Sequence, residues 1–180
     1  MKSAKQTISM RQLEPRDAEL LFQIENLPDV AAHTLADDEP FTLSTAKTFV
    51  QDYLANQASA TDIRLIICSE ESSSKLPAGT IELLEIDTRH KHAQVGIALL
   101  PQKRHLGIAT AALNLLDRLA AKLEIHTLLA HVDIQNAPAN RLFQRAHYQH
   151  VGQLPDYYFI AQQWRTVNLY AKTIKSGLIV

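Results

Sequence analysis

The chain has 180 residues, 46% of them hydrophobic, and its 18 Lys and Arg against 19 Asp and Glu leave a formal net charge of −1. That length fits one domain with one core; the balanced charge supplies no basic footprint for nucleic acid; and no apolar run reaches the ~20 residues of a membrane-spanning helix. Cys68 is the one cysteine, so no intrachain disulfide can form, and with no signal-peptide core after residues 1–6 the economical setting is cytoplasmic.

Ile8, Met10 and Leu13 mark a first strand over 7–13. Pro15 opens a helix whose apolar face is Leu20, Leu21 and Ile24, and Pro28 is expected to close it. Asp37, Asp38 and Glu39 then place three carboxylates in a loop. Thr42 or Ser44 caps a second helix with Ala46, Phe49, Val50 and Tyr53 inward. Leu65-Ile66-Ile67-Cys68 is the centre of a buried strand over 62–69, and 70–75 reads as an exposed hairpin connection. Strands over 79–87 and 92–100 flank a turn at 88–91, and Pro101 stops the second by removing a ladder donor.

A helix follows, with Ala109, Ala112, Leu113, Leu116, Ala120 and Leu123 at the spacing of one face. The remaining elements are a strand over 125–132, a short helix over 138–144, a strand over 148–153, a loop over 154–158 and a closing strand over 164–171. There is no internal repeat. This order predicts a mixed α/β sheet and not an alternating, doubly wound one.

The chemistry concentrates between Val95 and Thr110, where strand, basic loop and helix meet. The loop Arg104-His105-Leu106-Gly107-Ile108-Ala109 delivers unpaired backbone N–H groups to a helix start, where the macrodipole also favours negative charge, and Gly107 permits close approach. A phosphate or pyrophosphate seat is the expectation. A second segment, Val132 to Tyr148, carries Asn136 at the head of a helix and Phe143 within it.

Together the two segments resemble the acetyl-coenzyme-A-binding motifs of the GNAT superfamily of N-acetyltransferases: an Arg/Gln-x-x-Gly-x-Gly/Ala loop and an Asn-led helix ending near an aromatic residue. Residues 11–17, 79–87 and 159–165 are also similar in order and spacing to segments of the spermidine and ribosomal-protein N-terminal acetyltransferase branch. The likeness covers roughly residues 8–171. It implies one N-acetyltransferase domain over 1–180 in the GNAT fold, a mostly antiparallel central sheet with a splayed parallel pair and helices on both faces.

The resemblance further implies roles. Ile97, Ala98 and Leu99 would bond the pantetheine arm and present a backbone donor to the thioester. Arg104, His105, Leu106, Gly107, Ile108, Ala109 and Thr110 would hold the pyrophosphate of acetyl-coenzyme A, the co-substrate. Asn136 and Phe143 would lie by its reacting end. The acceptor would be a small polyamine-like amine or a protein N-terminus, with Asp37, Asp38 and Glu39 near its entrance, and homo-oligomers occur among such enzymes. Nucleic-acid and membrane partners are not implied.

An acceptor amine with a lysine-like pKa of ~10.4 must lose a proton before it attacks, so a carboxylate base is useful. Glu82 is the first candidate and Glu85 the second; strand alternation puts them on opposite faces unless a bulge intervenes. The alternative for each is a solvated strand carboxylate. Three residues depart from the motif: Phe143 where many such enzymes have a proton-donating tyrosine, His147 for a glycine and Gln94 for a glutamate. Tyr148, Tyr157 or Tyr158 could supply the acid, or simply pack. Phe143 and Gln94 are also consistent with a non-catalytic acyl-CoA-binding regulatory protein, and another acyl donor or an antibiotic acceptor is a further reading on the same scaffold. Cys68 reads as an inert core thiol. The histidines, His90, His92 and His131 among them, lack zinc-ligand spacing, so no metal is expected.

Overall fold

The computed structural model describes residues 7–32, 41–57, 61–71 and 74–175. Among these residues seven strands form one sheet in the order β1-β2-β3-β4-β5-β7-β6: β1 (Ile8–Gln12), β2 (Ile63–Glu71), β3 (Ser74–Asp87), β4 (His92–Leu99), β5 (Thr127–Asp133), β6 (Gln149–Ile160) and β7 (Gln163–Thr173). Every neighbouring pair is antiparallel except β4 with β5.

That parallel pair holds over only three positions, His92↔Thr127, Ala93↔Leu128 and Gln94↔Leu129. Beyond it β4 stays with β3 as far as Leu99, while β5 follows β7 as far as Asp133. The sheet therefore parts between 95–99 and 130–133, exposing strand backbone to a cleft in mid-sheet.

Helices cover both faces because the strands are apolar on both. The helices α4 (Ile108–Lys122) and α5 (Ala137–Arg145) pack on one face, where Ile108, Ala112, Leu113, Leu116, Ala120 and Phe143 join Ile81, Leu83, Val95, Leu128 and Ala130. On the other face α1 (Ala18–Glu25) and α3 (Leu43–Ala55) bury Leu20, Leu21, Ile24, Ala46 and Val50 against Ile66 and Cys68. Burying each such Leu or Ile contributes about 1.5–3 kcal/mol.

The structure departs from the sequence reading in four places. Pro28 ends no helix: α1 stops at Glu25, and Pro28 starts a four-residue helix, α2 (Pro28–Ala31), as proline does where the first-turn N–H needs no partner. Strand β3 begins at Ser74, earlier than the apolar pattern suggests, and tolerates Pro77 beside the irregularity at Ile67/Cys68. Leu123 lies past the end of α4 and is exposed. The loop expected over 154–158 is instead a wide bulge in continuous β6: Leu154 faces Val167 and Tyr158 faces Arg165, so three residues arch over one.

Candidate active site

The cleft between β4 and β5 is closed at one end by the segment that follows β4. A 3-10 turn, Pro101–Lys103, leads into a loop where His105 (φ 62) and Gly107 (φ 78) adopt left-handed backbone. Gly107 is the N-cap of α4, and a Cβ built on it meets nothing within 4 Å. Among the described residues, the amides of 105–110 donate to no protein acceptor; the first amide engaged is that of Ala111, bonded to the Gly107 carbonyl at 3.1 Å. A row of free donors at a helix N-terminus attracts an anion.

Arg104 serves the loop's geometry. Its Nε donates to the Leu99 carbonyl at 3.0 Å and its Nη1 to Asp29 Oδ2 at 2.6 Å, tying the end of β4 to α2. His105, Leu106 and Gly107 are exposed, Ala109 and Thr110 half-buried, and Ile108 is buried in the core. Along β4, Ile97 and Leu99 face α4 while Ala98 faces α1 and α3. Their backbone borders the gap.

Across the gap, Asn136 caps α5 by accepting from the Ala139 amide at 3.1 Å. Asn140 locks this helix start in place: its Nδ2 donates to the carbonyls of Asp133 and Asn136, and its Oδ1 accepts from Asn168 and Tyr170. Phe143 turns inward, edge-on to Tyr148 at 5.0 Å and stacked on Tyr170 at 6.1 Å. Tyr148 is equally buried, and burial beside Asp117 pushes its phenol well above the usual range, so it holds its proton inside the core.

The α1/α3 face carries the candidate base. That is the face on which Glu82 lies, with its Oε2 3.1 Å from where a Cβ on Gly96 would be. The carboxylate thus rests on β4 where that strand has just left β5, and a Cβ at position 96 would crowd it. Arg64, on β2 opposite Glu82 in register, donates to Glu82 Oε1 at 2.5 Å. Arg64 is itself held by α3: its guanidinium sits 5.0 Å over the Phe49 ring, and its backbone amide donates to the Tyr53 hydroxyl at 2.8 Å. Burial pushes the Glu82 carboxyl up, opposed by the Arg64 charge. Glu25, at the end of α1, is close enough for the Glu82 charge to raise it further after burial has done so.

A bulge at Leu84/Asp87, with Glu85 at φ 50, overrides strict alternation. Gln94, on the same face as Gly96, donates through Nε2 to Glu85 Oε2, so Glu85 is drawn to the face of the sheet on which Glu82 lies. Asp37, Asp38 and Glu39, expected near the acceptor entrance, lie outside the described residues. Arg64, Glu25 and the Gly96 contact escaped the sequence reading; an arginine at the head of an apolar strand carries no local mark of what lies across the sheet. Among the described residues no group of three or more His, Cys, Asp or Glu could hold a metal ion, and no helix is long and apolar enough to cross a membrane.

A parted sheet with a donor-rich helix start on one side and a carboxylate beside the gap defines an acyltransferase that takes its acyl group from a nucleotide thioester. The family model of the acetyltransferase (GNAT) domain matches residues 7–149, and the chain belongs to that family. It is an N-acetyltransferase with acetyl-coenzyme A as co-substrate. It is similar to the spermidine N(1)-acetyltransferase of Vibrio cholerae, 23% identical over 162 residues covering 89% of each chain. It is likewise similar to that of Escherichia coli K12, 26% identical over 161 residues, 88% of this chain and 82% of the other. The crystal structure of spermidine N-acetyltransferase from Vibrio cholerae in complex with CoA and spermine superposes with a TM-score of 0.81 at 19% identity, over 93% of this chain and 95% of that one, which shows the common fold.

Proposed function

We propose that this enzyme acetylates a primary amine of a polyamine-like cation, by direct transfer with both substrates bound. The observation that carries the reading is Glu82 lying against Gly96 of β4, the strand whose end leads into the free amides of 105–110. The two spermidine-acetylating relatives support the substrate class.

The pyrophosphate of acetyl-coenzyme A lies on the amides of 105–110, and its pantetheine arm runs along Ile97, Ala98 and Leu99, where a strand amide also stabilises the oxyanion. Asn136 meets the reacting end, and Phe143 backs it from the core. Glu82 accepts the ammonium proton; the freed nitrogen attacks the thioester carbonyl carbon, collapse of the tetrahedral intermediate breaks the carbon–sulfur bond and expels the thiolate, and the second nitrogen proton passes to that thiolate, directly or through water, leaving a neutral amide and a thiol. A thiol of pKa near ~8.5 leaves without an obligatory acid, so Phe143 is no obstacle. Glu85 adds a second carboxylate to the same face. A cytoplasmic setting, self-association and a single domain over 1–180 belong to this reading, as does an acceptor role for Asp37, Asp38 and Glu39.

Thiol release measured with acetyl-coenzyme A over a panel of alkyl amines, polyamines and a peptide N-terminus tests it. Turnover on the polyamines is expected; turnover on the peptide alone moves the acceptor class to protein N-termini, and binding without turnover on any amine rejects the catalytic reading.

A further inference from the structure

The chain's charges balance overall, but they are not spread evenly over the two faces of the sheet. Helices α4 and α5, which cover one face, carry Arg118, Lys122, Arg141 and Arg145, and of the chain's 19 acidic residues only Asp117 lies on them. Asp117 is buried and engaged by Lys172. The four cations are exposed, and their side chains have no hydrogen-bond or ion-pair partner among the described residues.

Lys172 also brings the four together. Its Nζ donates to Asp117 Oδ2 on α4 at 2.7 Å and to the Ala146 carbonyl at the end of α5 at 2.7 Å, so the two helices are pinned where Arg118 follows Asp117 and Arg145 precedes Ala146. Lys122 lies one turn beyond Arg118, and Arg141 one turn before Arg145, each about 6 Å along its helix axis. A cationic stripe therefore crosses both helices. His147, exposed just past α5 with a left-handed φ of 65, places a further polar ring beside it.

From this segregation we propose that the α4/α5 face docks on the phosphate backbone of nucleic acid. The residues of the stripe select that occupant. The exposed positions over 114–122 and 141–145 are Asn114, Arg118, Lys122, Arg141, Gln144 and Arg145, so there is no apolar centre of the kind a protein interface buries and no apolar wedge to enter a membrane. Three of the four cations are arginines, whose fork of donors suits phosphate oxygens. Contact of this kind does not depend on base sequence.

Docking on this face leaves the transfer site free. Glu82 lies on the opposite face, with Arg64 and α3, and the free amides of 105–110 are at the far end of α4, about 15 Å from Arg118 along the helix. The phosphate backbone gathers a counterion atmosphere, in which a polyamine-like cation is concentrated, so a docked enzyme meets its acceptor there. That advantage rests on the amine-acetylation reading. The docking does not, and its failure leaves that reading standing.

Fluorescence anisotropy of a short labelled DNA duplex, titrated with enzyme over a salt series, tests the docking without turnover. Four phosphate contacts give a slope of log K against log salt of about −3.6, whatever the base sequence. Arg118→Gln combined with Arg145→Gln should weaken binding about tenfold or more at low salt and take about 1.8 from the slope, with acetyl-coenzyme-A affinity unchanged in a calorimetric titration. No binding at low salt, or binding that this double substitution leaves as it was, overturns the proposal. Tighter binding to poly-glutamate or to phosphatidylserine vesicles than to the duplex also overturns it, and assigns the face to an acidic protein or an anionic membrane. Thermal melting of each variant identifies a folding defect, and Lys122→Gln with Arg141→Gln, the outer pair, decides the matter where the inner pair disturbs the helices.

Discussion

Glu82 owes its chemistry to three neighbours. Gly96 gives it room, Arg64 holds one oxygen, and burial raises its proton affinity. A base acts only when deprotonated, so kcat/KM should rise with pH through a value above the ordinary glutamate pKa of ~4.3. Glu82→Gln should remove that limb and lower kcat about 100-fold or more, leaving acetyl-coenzyme-A affinity unchanged; a pH–rate profile and a calorimetric titration check both halves. Arg64 favours the charged form, so Arg64→Met should move the same limb to higher pH. An unmoved limb would show that the ion pair is only structural.

Among the elements, α4 has two tasks that separate cleanly. Its apolar stripe fixes it to the sheet, and Leu113, fully buried, should cost about 2–5 kcal/mol on truncation to Ala, read by denaturant unfolding. Its N-terminus is the anion seat. Saturating acetyl-coenzyme A at 100 times Kd should stabilise the folded enzyme by about 2.7 kcal/mol, seen as a rise in Tm. Gly107→Trp fills the open space at the cap and forces a left-handed φ on a bulky residue, so it should abolish that rise. Helix α5 is different, since the Asn136 side chain caps it; Asn136→Ala should cost about 1 kcal/mol of stability and, on the proposed reading, should also weaken acetyl-coenzyme-A binding, which a calorimetric titration checks.

For the whole molecule, acid stability depends on the junction between β1 and α1. Arg11 donates to both Asp17 oxygens at 2.6 and 2.7 Å, and the Glu14 amide donates to Asp17 Oδ2 at 2.8 Å. These bonds outweigh burial and hold the Asp17 carboxyl below its ordinary value. A carboxyl depressed on folding contributes stability that is complete above its unfolded pKa of ~3.9 and is lost as pH falls through the folded one. Asp17→Asn should destabilise by about 2 kcal/mol at pH 7, and the gap from the unaltered enzyme should close at low pH in acid-unfolding curves.

Local signals in the chain were strong enough to settle a good deal. Hydrophobic period located α1, α3, α4 and the strands; Pro101, Gly107 and the helix pattern after them located the loop and the helix start whose amides are left free; Asn136 was legible at the head of α5. These depend on neighbours within a few residues, where periodicity and turn chemistry act. What depended on residues far apart was not legible. Arg64 meets Glu82 across two strands, Gly96 matters only because Glu82 lies over it, and the bulge that turns Glu85 toward Gln94 is a count of residues against a partner strand. Pairing register is a property of two strands at once, so it was the folded sheet, and not the order of residues, that decided which carboxylates share the cleft and where β4 and β5 part to open it.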